Sequence, residues 1–275
     1  MAHVTMRGRS QRSYCLPMSC NEADMGISAR SEKPTPVVLV HGLRVSGASL
    51  HRIASAVTDR PVIHPDLPGH GTRSAETFTM TEAVSTVVDA IDQLGAPAVV
   101  AGMSLGGYVA MATVAAHPER VAGLVAMGST AQPSGLLAAP FRVFGAATSF
   151  LPAQSAEISR LITRIALGAR VCDDMEAGGL ALHSIADVVD EIAGFDALSA
   201  LAGYSGPMLF ANGGWDQFRL HERRFVALSP RAQRRVIPRA THLYPLIQPA
   251  VAGTMISEFA ASIDAARATQ PTPPP

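Results

Sequence analysis

Apolar residues in this chain alternate between short unbroken runs and longer stretches with a helical repeat. The run "PVVLVHG" from Pro36 is β-branched and ends in glycine, the pattern of a parallel strand covered on both faces. "PVIHPDLPGHG" and "APAVVAGMS" predict a second and a third such strand. Between them, "MTEAVSTVVDAIDQL" sets Ala83, Val87, Val88, Ile91 and Leu94 on one helical face, with Thr79 or Thr81 as its cap. After Ser104, "GGYVAMATVAAHPERV" predicts a helix stopped near His117 by Pro118, and "AGLVAMGS" predicts a further buried strand.

The alternation then breaks. From Ala131 to Tyr204 no strand-like run occurs, and "LLAAPFRVFGAATSFL", "AEISRLITRIAL" and "DMEAGGLALHSIADVVDEIAGF" read as helices with irregular joins. Ordinary connections in such folds are a few residues long, so 131–204 is expected to be a helical cap inserted into the sheet. Its apolar positions, Leu161 and Ile165 among them, are expected mainly to pack the cap onto the core, and Arg142, Arg160, Arg164 and Arg170 to face solvent. The sheet resumes with "GPMLFANGG" and "RRVIP", separated by the helical "LHERRFVAL", and a final helix runs from about residue 250 to 266. The fold class is therefore α/β, a mostly parallel central sheet flanked by helices, with its core at 36–130 and 205–267. Residues 1–35 read as an irregular leader with weak edge strands, and 268–275 as a Pro-rich disordered tail.

Charge adds mainly exclusions. Lys plus Arg and Asp plus Glu both number 22, so there is no basic footprint for nucleic acid. No stretch supplies the roughly 18 unbroken apolar residues of a membrane span, and no secretory signal is evident, so a cytoplasmic protein without stable membrane insertion is expected. Cys15, Cys20 and Cys172 lack metal-site spacing and read as reduced, incidental thiols. No metal site is expected, and the chain is expected to be a monomer or homodimer.

The chemistry is concentrated in "VAGMSLGGYV". Gly-x-Ser-x-Gly between a buried strand and a helix is the pattern of a nucleophile elbow, where the turn is so tight that its neighbours must be small. The bare pattern arises by chance roughly 0.15 times in a chain of this length and composition, so the strand before it and the helix after it carry the weight. A serine hydroxyl needs a base, and the base an orienting carboxylate. His242, in the loop "PRATHLYP" before the last helix, is the expected base. Asp216, just past the strand "MLFANGG", is the expected acid, with Asp66 in "DLPGHG" as its rival and a loop-stabilising role as the alternative for Asp66. The amides of Leu105 and of Leu43, in the "HGLRVSG" loop, are the expected oxyanion donors. Trp215 and Tyr244 read equally as pocket walls or as packing. His41, Met103, Phe141 and Phe144 complete the candidates for substrate contact, although His41 also suits an ordinary strand-ending turn.

Taken together, "VLVHGL", "DLPGHGTRS", "GMSLGG", "NGGWD" and "RATHLYPLIQP" resemble the α/β-hydrolase fold superfamily in its single-chain, cap-bearing, esterase-like branch. The resemblance implies a Ser104, His242 and Asp216 triad, an oxyanion hole from Leu43 and Leu105, a helical cap and no cofactor. It implies hydrolysis of a small-molecule carboxylic ester or thioester, including a carrier-bound acyl group, through an acyl-enzyme on an apolar or aromatic substrate. A lyase, a carbon–carbon bond hydrolase or an acyltransferase using the same residues is the alternative, and a ligand-binding receptor a third. Two features depart from the family pattern: the two usual antiparallel strands are hard to discern in residues 1–35, and the base is approached by Arg239-Ala240-Thr241 instead of a Gly-rich turn.

Overall fold

A computed structural model describes residues 33–132 and 167–269, with 157, 158, 160, 161, 164 and 165 between them. From Pro34 onward the chain forms a compact unit of its own, to which the sheet and helices below belong. Residues 1–32 of the expected leader, the first inserted helix with Arg142, Phe141 and Phe144, and the end of the Pro-rich tail lie outside the described residues.

Strands β1 (Val37–Val40), β2 (Val62–Ile63), β3 (Ala98–Met103), β4 (Val121–Met127), β5 (Met208–Gly213) and β6 (Ala232–Ile237) form a sheet ordered β2-β1-β3-β4-β5-β6. Among the described residues every pairing is parallel, with Val40 opposite Gly102, Gly102 opposite Ala126 and Ala126 opposite Phe210. A continuous apolar run becomes a two-faced strand because successive side chains alternate. Val38, Val40, Val100 and Phe210 enter one core layer, whereas Val37, Leu39, Val99 and Leu209 enter the other.

Helices α1 (His51–Ala56), α2 (Met80–Leu94) and α3 (Leu105–Ala116) join the first four strands. The hydroxyl of Thr79 accepts the Glu82 amide at 3.2 Å, and Gly95, at φ 70°, closes α2 in the left-handed region. The buried face of α2 carries Ala83, Val84, Thr86, Val87, Ala90 and Ile91; Val88, expected on it, is only half-buried. α3 is buried from Leu105 to Val114 because it lies between the sheet and α2.

Between β4 and β5 the described chain forms α4 (Ala169–Glu176), α5 (Ile185–Ala193) and α6 (Ala197–Leu201). The stretch from Asp174 to Phe195, expected as helical throughout, is interrupted at Gly178-Gly179, where Gly179 takes φ 82°. Leu161 and Ile165 are 59% and 77% exposed, not packed on the core as expected. Arg160, Arg164 and Arg170 are exposed, as expected of a solvated face. Helices α7 (Glu222–Val226), α8 (Tyr244–Ile247) and α9 (Pro249–Ala268) complete the fold. Among the described residues no helix is long and apolar enough to cross a membrane, and Cys172 is a buried free thiol.

β2 and β3 lie on opposite sides of β1, so the loops leaving β1 and β3 diverge to either side of a crevice at the carboxyl ends of the strands. In open α/β sheets this reversal point is where ligands bind.

Candidate active site

The β3–α3 turn is built by close backbone approach. A Cβ on Gly102 would lie 2.0 Å from the Gly106 carbonyl oxygen, and one on Gly106 would lie 2.1 Å from that of Val40. Strand, helix and β1 can meet there only because both positions lack side chains. Ser104, at the apex, takes φ 54° and ψ −116°, a sparsely populated conformation for a residue with a side chain. Its amide donates to the Met127 carbonyl at 2.8 Å, and its carbonyl accepts the Gly107 amide at 2.9 Å and the Ser129 hydroxyl at 2.8 Å. These contacts hold the strained residue from both sides of the turn.

Residues distant in sequence converge on Ser104. Its hydroxyl donates to His242 Nε2 at 3.0 Å, and His242 Nδ1 faces the Asp216 carboxylate at 3.2 and 3.1 Å from its two oxygens. With Nδ1 donating to the carboxylate, Nε2 is left as the acceptor for the serine proton. The His242 side chain is 14% exposed and that of Asp216 fully buried. Asp216 also accepts the Phe218 amide at 2.8 Å, and the Phe218 ring lies 4.6 Å from the imidazole.

The acid and base loops are joined by backbone hydrogen bonds from Gly214 to Ile237 and from Trp215 to Ala240, at 2.8 and 2.9 Å. Arg239, in the base loop, takes φ 56°. Beneath the pair runs Gly128, at φ 68°, where a Cβ would lie 2.8 Å from the imidazole. The "GST" after the fourth strand is the sequence signal for this floor, and sequence reasoning passed over it.

Behind Asp216 lies a second group that sequence reasoning missed. Buried Glu222 accepts from Asn212 Nδ2 at 3.2 Å, Arg219 at 2.7 Å and Arg234 at 3.2 Å, and Arg219 also donates to the Gly214 carbonyl at 3.1 Å. Burial raises the Glu222 pKa, but the hydrogen bonds from Arg219 and Asn212 outweigh it and hold the carboxyl below its ordinary value. This hub ties β5, β6 and the acid loop together. The spacing Arg219-x-x-Glu222 at the start of a short helix was its only local trace in the sequence.

The oxyanion candidates belong to the two loops that meet at the serine. Leu105 is the first residue of α3, where helix geometry leaves amides without intrahelical partners. Leu43 follows Gly42, where a Cβ would lie 3.5 Å from that of Ser104.

Several candidates for substrate contact are placed elsewhere. His41 is fully buried; its Nδ1 donates to the Gly42 carbonyl at 2.9 Å and its Nε2 accepts the Leu67 amide at 3.0 Å. It is therefore a brace between two loops, and burial, assisted by nearby His70, pushes its pKa down to about 3. Met103 is buried in the layer with Leu50 and Met127. Tyr244 is fully buried in the same layer, with its pKa pushed up by burial, so it is core and not a pocket wall. Trp215 is 67% exposed. Met103 and Tyr244 pack in the core, the packing alternative for Tyr244, because neighbours in sequence to the serine or the base need not point into the crevice. Asp66 has the loop-stabilising role: Gly47 donates to one carboxylate oxygen at 2.7 Å, and the Thr72 amide and hydroxyl to the other at 2.8 Å.

Residues 37–252 match the sequence model of the alpha/beta hydrolase family. Among curated proteins, Lipase LipV of Mycobacterium tuberculosis is 40% identical over 94 residues, which span 34% of this chain and 36% of the lipase. Pimeloyl-[acyl-carrier protein] methyl ester esterase of Chromobacterium violaceum is 36% identical over 95 residues, 34% of this chain and 37% of that protein. These matches thus span little more than a third of either relative. Among solved structures, a thermophilic esterase from Thermogutta terrifontis, crystallised with malate, superposes with a TM-score of 0.70 at 26% identity, covering 84% of this chain and 91% of that one.

Two outcomes follow for stability. His41 stays neutral in the folded protein down to about pH 3, whereas in the unfolded chain it titrates near the ordinary histidine value of 6.5. Below pH 6.5 the unfolded state therefore binds more protons, and stability falls as the pH drops, by up to about 1.4 kcal/mol per pH unit. Urea unfolding between about pH 7.5 and 5.0 should show this slope together with that of buried His70, whose pKa burial also lowers, and His41→Gln should make it shallower whatever its effect on the baseline. Glu222→Gln keeps the volume but removes the charge that two arginines share, and because both are partly exposed it should cost about 1–3 kcal/mol, read as a lower melting temperature.

Proposed function

The chain belongs to the alpha/beta hydrolase family, and on that premise we propose that it hydrolyses a carboxylic ester or thioester through an acyl-enzyme on Ser104. One observation carries the reading: the Ser104 hydroxyl lies 3.0 Å from His242 Nε2 while Nδ1 of the same ring faces the Asp216 carboxylate. Distances of this order allow proton transfer without rearrangement.

In the proposed reaction, Ser104 Oγ attacks the acyl carbonyl and its proton passes to His242 Nε2. Asp216, buried and acceptor-only, stabilises the imidazolium that forms and fixes its orientation. The negative charge on the carbonyl oxygen is held by the amides of Leu43 and Leu105. Collapse of the tetrahedral intermediate expels the alcohol or thiol, which takes the proton from His242. Water, deprotonated by the same nitrogen, then attacks the acyl-serine and releases the carboxylic acid. Residues 131–204 act in this reading as a cap over the crevice. The partial similarity to a lipase and to an esterase named for an acyl-carrier-protein ester favours a small ester or a carrier-borne acyl group as substrate.

The native protein should label with a fluorophosphonate and hydrolyse p-nitrophenyl esters. Ser104→Ala should lose the label and at least about a thousandfold in kcat/KM. Undiminished turnover by that variant would overturn the proposal.

A further inference from the structure

Among the described residues, the inserted segment contacts the loop of the proposed oxyanion donor in ways that the proposed chemistry does not use. Arg44, next to the proposed oxyanion donor Leu43, has φ 74°, in the left-handed region that residues with side chains seldom adopt. Its carbonyl accepts the amide of Ala181, in the turn between α4 and α5, at 2.9 Å. Three residues earlier, a Cβ on Gly178 would lie 2.0 Å from the hydroxyl oxygen and 2.7 Å from the Cβ of fully buried Ser46. Turn and loop are thus in backbone-to-side-chain contact with no room for a methyl group.

A third contact fixes the same loop from its far end. Asp174, buried in α4, accepts from Arg52 Nε at 2.6 Å and lies 3.6 Å from His51 Nε2. From below, the Gly47 amide is held by Asp66 at 2.7 Å. Leu43 itself packs against the small cluster of Leu182, Ile185 and Val189 in the inserted segment. The segment that runs from Leu43 through the loop to Arg52 in α1 is therefore contacted by the insertion near both ends, and its strained residue is the one whose carbonyl the insertion holds.

We infer that the 177–182 turn is a strut that sets the oxyanion loop: seated, it holds Arg44 in the left-handed conformation and aims the Leu43 amide into the crevice; lifted, the loop relaxes and that donor is lost. Gly178 and Ala181 are positioning residues in this scheme, and turnover requires the inserted segment to be seated. The inference rests on the hydrolase reading for its catalytic consequence, but the mechanical coupling of turn to loop is independent of it.

The test uses Gly178→Ala in the full chain, with Asp174→Asn as a milder variant that loosens the clasp without a steric clash. Gly178→Ala should lower kcat on p-nitrophenyl esters about ten- to a hundredfold, with KM changed less than about threefold. Amide hydrogen exchange across residues 41–46 should quicken in both variants. The double variant Ser46→Gly/Gly178→Ala, which removes the two atoms the new methyl would overlap and leaves the Ala48 Cβ at 3.4 Å, should restore both kcat and protection. Unchanged exchange in the loop, faster exchange with unaltered kcat, or failure of the double variant to recover would each overturn the inference. A wild-type protein that neither labels with fluorophosphonate nor turns over would instead defeat the hydrolase reading, and loop exchange in the same variants would still decide whether the strut exists.

Discussion

At Ser104 the backbone turns from strand to helix within one residue, and this is possible only because β1, β3 and α3 approach to within backbone contact. Gly102 and Gly106 make the approach; a methyl on either would overlap a carbonyl oxygen deeply, well inside ordinary van der Waals contact. The strain at Ser104 is held by hydrogen bonds to Met127, Gly107 and Ser129, elements fixed in turn by two buried core layers. The serine is presented at the end of the sheet because everything beneath it is rigid.

The same device recurs on each side. Among the described residues, those other than glycine with positive φ are Arg44, Ser104 and Arg239, one in each loop that carries a proposed oxyanion donor, the nucleophile or the base. Such conformations persist only where surrounding contacts over-determine them. The Ala181 amide supplies that contact at Arg44, the sheet and α3 supply it at Ser104, and the paired acid and base loops lie around Arg239. The contacts that hold this strain, and not the strain itself, keep the three loops in place.

Asp216 depends on groups well behind the crevice. Its loop is anchored through Arg219, which donates to the Gly214 carbonyl and pairs with Glu222, on which Asn212 and Arg234 also converge. Likewise His41 and Asp66, adjacent to the site in sequence motifs that suggest chemistry, spend their polar atoms on bracing the β1 loop. Proximity to a motif and participation in the site are separate matters here.

The alternation of apolar runs and helical stretches determined the parallel sheet, the order of its elements and the place of the insertion, because these follow from local periodicity and punctuation. Thr79, Pro118 and the glycines around Ser104 marked boundaries by short-range sterics and hydrogen bonding. The pairing of Ser104 with His242 and Asp216 was also legible, since strand ends in this topology gather at one edge. Only the tertiary structure decided the fates of chemically identical groups. His41 and His242 carry the same imidazole, yet one has both nitrogens committed to backbone in the interior and the other spans a serine and a carboxylate at the crevice. Trp215 turns outward, Tyr244 inward, and Glu222 gathers partners from three elements. A side chain's direction and its partners depend on which distant segments pack against it, and that information lies in the folded arrangement, not in the neighbouring residues.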